Sequence, residues 1–157
     1  MNSGLAGSRP REILLVEDNE NDAMLTRLAF GRSKFRVNVH HVSNGEECLA
    51  FLRNQGPYAD VARPDLVLLD LNMPRMTGQE VLVELSADER LRDIPIIILT
   101  TSADEKEILD MYKLKCSSYI VKPVDFDEFL RLIRVLAEYW LTVVALPRGS
   151  QSPAAAN

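Results

Sequence analysis

The chain has 157 residues, 46% hydrophobic and 26% charged, which is the usage of one globular unit and excludes disordered and fibrous classes. A formal net charge of -5, with no basic run longer than two residues, argues against a nucleic-acid surface, which needs clustered Lys and Arg. No apolar stretch approaches the roughly 20 residues of a membrane span, and Cys48 and Cys116 show neither CxxC nor metal spacing, as suits two semi-buried thiols in a reducing cytoplasm.

Residues 1–10 lack an apolar signal core and read as a disordered leader. The first predicted strand, Ile13-Leu14-Leu15-Val16, ends in Glu17-Asp18. A helix over residues 20–32 follows, with Met24, Leu25, Leu28 and Ala29 on one side. Residues 37–42 alternate apolar and polar, as an edge strand does. His40 and His41 there point to opposite faces and cannot chelate one metal together. The helix over residues 46–54 presents Cys48, Leu49, Phe51 and Leu52, and an enlarged loop, 53–64, carries Pro57 and Tyr58. Leu66-Val67-Leu68-Leu69 is the third strand and ends in Asp70; Met73 and Met76 in the following loop read as packing residues. After a helix over 79–86, Ile96-Ile97-Ile98-Leu99 runs into Thr100. A helix over 104–114 and a short strand, Tyr119-Ile120-Val121, lead to Lys122-Pro123. The last helix, 126–146, has a stripe of Phe129, Ile133, Leu136 and Trp140 and an adjoining apolar band of Leu132, Val135, Tyr139, Val143 and Leu146. Gly, Ser, Pro and Ala then dominate a tail, 148–157, expected to be disordered, leaving a single domain over 11–147.

Continuous apolar strands imply cover on both faces, and strand–helix alternation repeated five times implies an α/β, doubly wound five-stranded parallel sheet of order 2-1-3-4-5 with helices on both faces. In such a sheet ligands bind beyond the carboxyl ends of the strands, where the order reverses. Glu17, Asp18 and Asp70 therefore converge, flanked by Thr100 and Lys122. One acid after a strand is most often a helix cap, and one Lys-Pro a turn. Polar residues closing four strands of one sheet are poorly explained that way. Crowded carboxylates resist ionising together unless a hard divalent cation such as Mg²⁺ offsets their repulsion. Asp70 can then attack phosphorus to form an aspartyl phosphate, with Thr100 donating a hydrogen bond and Lys122 a compact positive charge.

These residues resemble the receiver domain of CheY-type response regulators. The matching segments are Ile13-Leu-Leu-Val-Glu-Asp-Asn19, Leu66-Val-Leu-Leu-Asp-Leu-Asn-Met-Pro-Arg-Met-Thr-Gly78, Ile96-Ile-Ile-Leu-Thr-Thr101 and Tyr119-Ile-Val-Lys-Pro123. The resemblance implies that Asp70 accepts a phosphoryl group from a phosphohistidine on a sensor histidine kinase. It implies Mg²⁺ on Asp18, Asp70 and the main-chain carbonyl of Asn72, with Glu17 acting through a metal-bound water. It also implies a Thr100–Tyr119 switch pair, Lys122 as phosphate-binding lysine, and a cis peptide before Pro123. Such a domain is not an enzyme beyond its own phosphorylation and dephosphorylation. The loop over 53–64 and the Tyr139-Trp140-Leu141 ending are similar to the small regulators paired with bacterial phytochromes. That implies a light-sensing kinase, and a homodimer through the fourth helix, fifth strand and fifth helix. One departure is Leu114-Lys115-Cys116-Ser117, where the family commonly has Gly-Ala, so that a left-handed helix end falls on Lys115.

Rival functions fit less well. A haloacid-dehalogenase-type hydrolase needs a second Asp where Asn72 stands, and a flavin carrier needs a phosphate loop where Glu17-Asp18-Asn19-Glu20 would repel one. A degenerate receiver binding partners without phosphorylation is the alternative, but every chemical position is filled. With only a short tail after Leu146, output is expected through a downstream protein or a phosphotransfer partner rather than through DNA.

Overall fold

The computed structural model describes residues 9–143. The strands are β1 (Arg11–Val16), β2 (Val37–Val42), β3 (Leu66–Leu69), β4 (Ile96–Thr100) and β5 (Ser118–Val121). Between and after them come α1 (Glu20–Gly31), α2 (Gly45–Leu52), α3 (Gly78–Ala87), α4 (Glu105–Lys113) and α5 (Phe126–Glu138), which runs on as a wider π-helical turn, Tyr139–Val143. The strands pair in parallel in the order β2-β1-β3-β4-β5, as the apolar runs require. The leader and tail expected over 1–10 and 148–157 lie outside the described residues, apart from Arg9 and Pro10.

Because side chains alternate across a strand, each central strand feeds two cores. Leu14, Val16, Val67, Leu69, Ile96 and Ile98 pack with Phe51 of α2, Val81 of α3 and Met111 of α4. Ile13, Leu15, Leu66, Leu68, Ile97 and Leu99 pack with Phe30 of α1 and with Phe129 and Ile133 of α5. This two-sided burial makes β1, β3 and β4 the most buried strands of the fold. Truncating any of their fully buried leucines or isoleucines to Ala would cost about 2–5 kcal/mol.

The expected inner face of α1 holds for Leu25 and Ala29, which pack against the core, and fails for its other two members. Met24 and Leu28 are 59% and 43% exposed, while Ala23, Thr26 and Phe30 are buried. The Thr26 hydroxyl donates to the Asp22 carbonyl at 2.8 Å, which lets a polar residue occupy the inner face. On α5, Phe129, Ile133 and Leu136 are buried as expected, but Leu132 packs on the same core instead of joining an outer band. Val135 and Tyr139 are exposed; the side chains of Val143 and Leu146 lie outside the described residues. The described residues contain no cis peptide, so the bond before Pro123 is trans, the form a prolyl amide prefers by about 0.5–1 kcal/mol.

Three connections contain left-handed residues, among them Arg75 (φ 72°) in the loop after β3. Asn54, at φ 54°, donates its side-chain amide to the carbonyls of Tyr58 and Val61 and so folds the enlarged loop over Phe51, whose ring lies 5.3 Å from that of Tyr58. Lys115, at φ 72°, ends α4 in a Schellman arrangement: the Cys116 N–H reaches the Met111 carbonyl and the Lys115 N–H that of Tyr112.

Candidate functional site

The last rungs of the sheet carry the site. The Asp70 N–H donates to the Val16 carbonyl at 3.1 Å, the Glu17 N–H to that of Val42 at 3.0 Å, and the Lys122 N–H to that of Thr100 at 2.7 Å. Glu17, Asp70, Thr100 and Lys122 are therefore fixed by backbone hydrogen bonds at one rim, on both sides of the β1–β3 boundary where the strand order reverses. Glycine closes the rim from beyond: a Cβ on Gly78, at the start of α3, would lie 2.3 Å from the Asp70 carbonyl oxygen.

Within this rim, Glu17, Asp18 and Asp70 each bring a carboxylate oxygen within 4.8 Å of the others. Both oxygens of Glu17 are engaged. Oε1 accepts from Lys122 Nζ at 2.7 Å, and Oε2 from the Asn19 N–H at 3.1 Å. Asp18 is exposed, and the Asn72 N–H lies 3.5 Å from Asp70 Oδ1. The donors are all hard oxygens, the set a hard divalent cation takes, with Asp18 and Asp70 offering direct ligands and Glu17 committed to its neighbours.

Burial pushes the Glu17 carboxyl up to about 7; the Lys122 hydrogen bond opposes the rise and the charge of Asp70 adds to it. Lys122 is buried too, which alone would lower its pKa, but hydrogen bonds from Glu17 and then Asp22, with the charges of Glu17 and Asp70, raise it on balance. The lysine thus stays a cation. Its Nζ lies 3.9 Å from Asp70 Oδ2, close enough to attract and too far to bond. Thr100 Oγ1 is buried and has no hydrogen-bond partner among the described residues. Such a hydroxyl costs about 1–3 kcal/mol unless something accepts or donates to it.

Tyr119 packs against the α2–α3–α4 core and donates its hydroxyl to the Ser102 carbonyl at 2.9 Å, two residues past Thr100. His40 pairs with Glu12 at 2.7 Å and His41 with the Glu17 carbonyl at 2.8 Å, on opposite faces of β2 as alternation demands. Met73 is buried in the core and Met76 packs against it, while both cysteines are buried and free. Sequence reading missed one member. Asp22 of α1 accepts from Lys122 Nζ at 2.9 Å, although an acid in a helix's first turn reads simply as a dipole or capping residue.

Comparison with known proteins agrees with this geometry. The family model described as the response regulator receiver domain matches residues 13–134. The response regulator Rcp1 of Synechocystis sp. is 35% identical over 138 residues, which cover 88% of this chain and 94% of that protein. The crystal structure of its Mn²⁺-bound form aligns with a TM-score of 0.85 over 88% of this chain and 99% of that one. The phosphorylated cyanobacterial phytochrome response regulator RcpA is 39% identical, with a TM-score of 0.86 over 88% of this chain and 99% of that one. The probable methanogenesis regulatory protein FilR2 of Methanothrix harundinacea is 38% identical over 138 residues, covering 87% of this chain and 88% of that protein. Shared sequence along nearly the whole described length, on a closely similar fold, leaves one conclusion: this chain belongs to the response regulator receiver domain family and is a response regulator of two-component signalling.

Proposed function

We propose that Asp70 is the phosphoacceptor of a phosphorelay fed by a phytochrome-type sensor histidine kinase. The observation that supports this is the single rim that gathers Asp70, the buried cation Lys122 and the unpartnered Thr100 hydroxyl. An Asp70 carboxylate oxygen forms a bond to phosphorus while the bond from phosphorus to the donor imidazole nitrogen breaks, the electron pair staying on that nitrogen, which takes up a proton from solvent. Lys122 faces the charge gathering on the phosphoryl oxygens, and Thr100 donates its hydroxyl to one of them. Asp18, Asp70 and the Asn72 carbonyl would hold Mg²⁺, with Glu17 behind them, and the ion would neutralise the carboxylates and the phosphoryl group. Thr100, drawn toward the phosphoryl oxygen, frees space into which Tyr119 turns after leaving Ser102. This biases a two-state equilibrium rather than making a new fold.

The face built by α4, β5 and α5 carries the output. Exposed apolar side chains stand on all three elements, with Leu109 and Tyr112 on α4, Val121 on β5 and Val135 on α5, and this face forms a homodimer. The phytochrome input is supported by the kinship to Rcp1 and RcpA, and two free buried thiols suit a reducing cytoplasm. The chain acts on no substrate but its own phosphoryl group.

The test is incubation with acetyl phosphate and Mg²⁺ followed by intact-mass measurement. One phosphoryl adduct on the wild type and none on Asp70→Asn is expected; an adduct on both refutes Asp70. Transfer from a phosphorylated bacterial phytochrome that outruns transfer from an unrelated histidine kinase supports the light input, and equal rates refute it. Tyr119→Ala should be phosphorylated normally yet bind its downstream protein more weakly. Sedimentation that finds only monomers, with and without a phosphoryl mimic, would exclude the dimer.

A further inference from the structure

A lysine ammonium has three protons, and in this site two of them are already assigned. Nζ of Lys122 donates to Glu17 Oε1 at 2.7 Å and to Asp22 Oδ2 at 2.9 Å, which leaves the third for Asp70 Oδ2 at 3.9 Å. Glu17 reaches the lysine from just beyond β1 and Asp22 from α1, so two segments fix the end of a side chain that would otherwise swing on four carbons.

The first turn of α1 shows that this use of Asp22 is not incidental to helix capping. Asn19 caps α1, accepting from the Asp22 N–H at 2.9 Å. In a capping box the side chain three residues after the cap, a Glu or Gln, reaches back to the cap residue's own N–H. Here that N–H donates to Glu17 Oε2, and the Asp22 carboxylate is turned to a lysine 100 positions along the chain. The side chain of Asp22 is 30% exposed against 6% for Lys122, so it lies at the mouth of the site, holding a buried cation from outside.

We infer that Asp22 is a positioning residue for phosphoryl transfer, holding the Lys122 ammonium so that its free proton points at the oxygens of the group arriving on Asp70. The inference rests on Asp70 being the phosphoacceptor. Its chemistry requires only that position 22 accept a hydrogen bond. An asparagine oxygen serves, and an alanine does not.

The experiment is phosphorylation by acetyl phosphate in MgCl₂, in which an Asp70 oxygen bonds to phosphorus and acetate leaves with the electron pair. Asp22→Ala is expected to lower the rate at saturating donor about tenfold, since displacing a group by about 1 Å can cost up to a hundredfold. KM should stay within about twofold, and Asp22→Asn should recover the rate to within about threefold. In a Lys122→Ala background, Asp22→Ala should add less than a further twofold, because residues acting through one another are not additive. A wild-type rate for Asp22→Ala, an Asp22→Asn variant as slow as Asp22→Ala, or an undiminished loss in the Lys122→Ala background would each overturn the inference. A second readout needs no phosphorylation: the NMR signal of the Lys122 ammonium protons, slow to exchange when held, should persist in Asp22→Asn and vanish in Asp22→Ala. If the wild type takes no phosphoryl group, the reading of Asp70 fails. The placement of Lys122 is then decided by that signal, whose persistence in Asp22→Ala refutes it.

Discussion

Lys122 and Glu17 form a 2.7 Å ion pair in which the two side chains are only 6% and 4% exposed, tying the end of β5 to the end of β1 across the strands between. Removing one partner of a buried pair leaves the other charge without compensation and typically costs about 3–5 kcal/mol. Lys122→Ala is expected at or below the lower end of that range, because Glu17 can escape by binding a proton. Urea denaturation in EDTA at pH 8 measures it. The penalty should shrink at pH 5.5, where the stranded carboxyl is neutral. A penalty independent of pH would mean that Glu17 is not the group left behind.

Glu17 also sets a pH dependence. Its carboxyl sits at about 7 in the folded protein, chiefly through burial, against 4.5 when unfolded. Between those values the native state holds a proton that the unfolded state has lost, so stability falls as pH rises. The metal-free thermal midpoint should therefore drop by a few degrees from pH 5 to pH 8. Saturating Mg²⁺ should cancel much of the drop, and Glu17→Gln should flatten it. A flat profile in the wild type, without metal, would contradict the buried, proton-hungry state of this carboxyl.

Gly78 is required by space rather than by its backbone angles. An added Cβ would meet the Asp70 carbonyl oxygen at 2.3 Å and Leu71 Cα at 2.8 Å, both of them backbone atoms. Gly78→Ala must push α3 away from the end of β3 at a cost of about 1–3 kcal/mol. The displaced strand end carries Asp70, so divalent-ion affinity should fall with stability. Chemical denaturation and Mn²⁺ titration measure the two. Loss of stability with unchanged affinity would show that the shift spares Asp70.

Much of this was legible from periodicity. The apolar runs of β1, β3 and β4 had to be covered on both faces, which fixed the parallel sheet and hence the rim where Glu17, Asp70, Thr100 and Lys122 meet. The helices were harder. On α1 the large residues Met24 and Leu28 outweighed Ala23 and Thr26 in any hydrophobic count, although Ala23 and Thr26 are the buried ones. Asp22 was invisible because its partner is remote in sequence, and first-turn acids are common for local reasons. Orientation about a helix axis depends on what the neighbouring layer admits, which no single segment encodes.

The left-handed end of α4 was anticipated from Lys115 standing where glycine is usual, and φ there is 72°. Lys115→Gly removes the Cβ strain but gives the unfolded chain more freedom. The helix-ending geometry favours glycine, so a gain of about 0.5–1 kcal/mol is expected in thermal or urea unfolding. The substitution is far from the rim and should leave acetyl-phosphate kinetics alone. A loss of stability would mean that the lysine side chain contributes more than its backbone costs.

Thr100 carries the sharpest contrast between resting and phosphorylated states. Its hydroxyl is fully buried with no partner among the described residues, a net cost in the resting protein, and valine of nearly the same shape lacks it. Thr100→Val should therefore stabilise the unphosphorylated domain by up to about 1 kcal/mol, against the usual penalty for changing a buried residue. The same substitution should weaken binding of beryllofluoride, a phosphoryl mimic, by about tenfold, the worth of one hydrogen bond to a charged group. Opposite signs in the two measurements are what a hydroxyl reserved for a phosphoryl oxygen produces. If Thr100→Val instead destabilises the resting domain, the hydroxyl already has a partner there, and the switch must begin by breaking that bond rather than by making a new one.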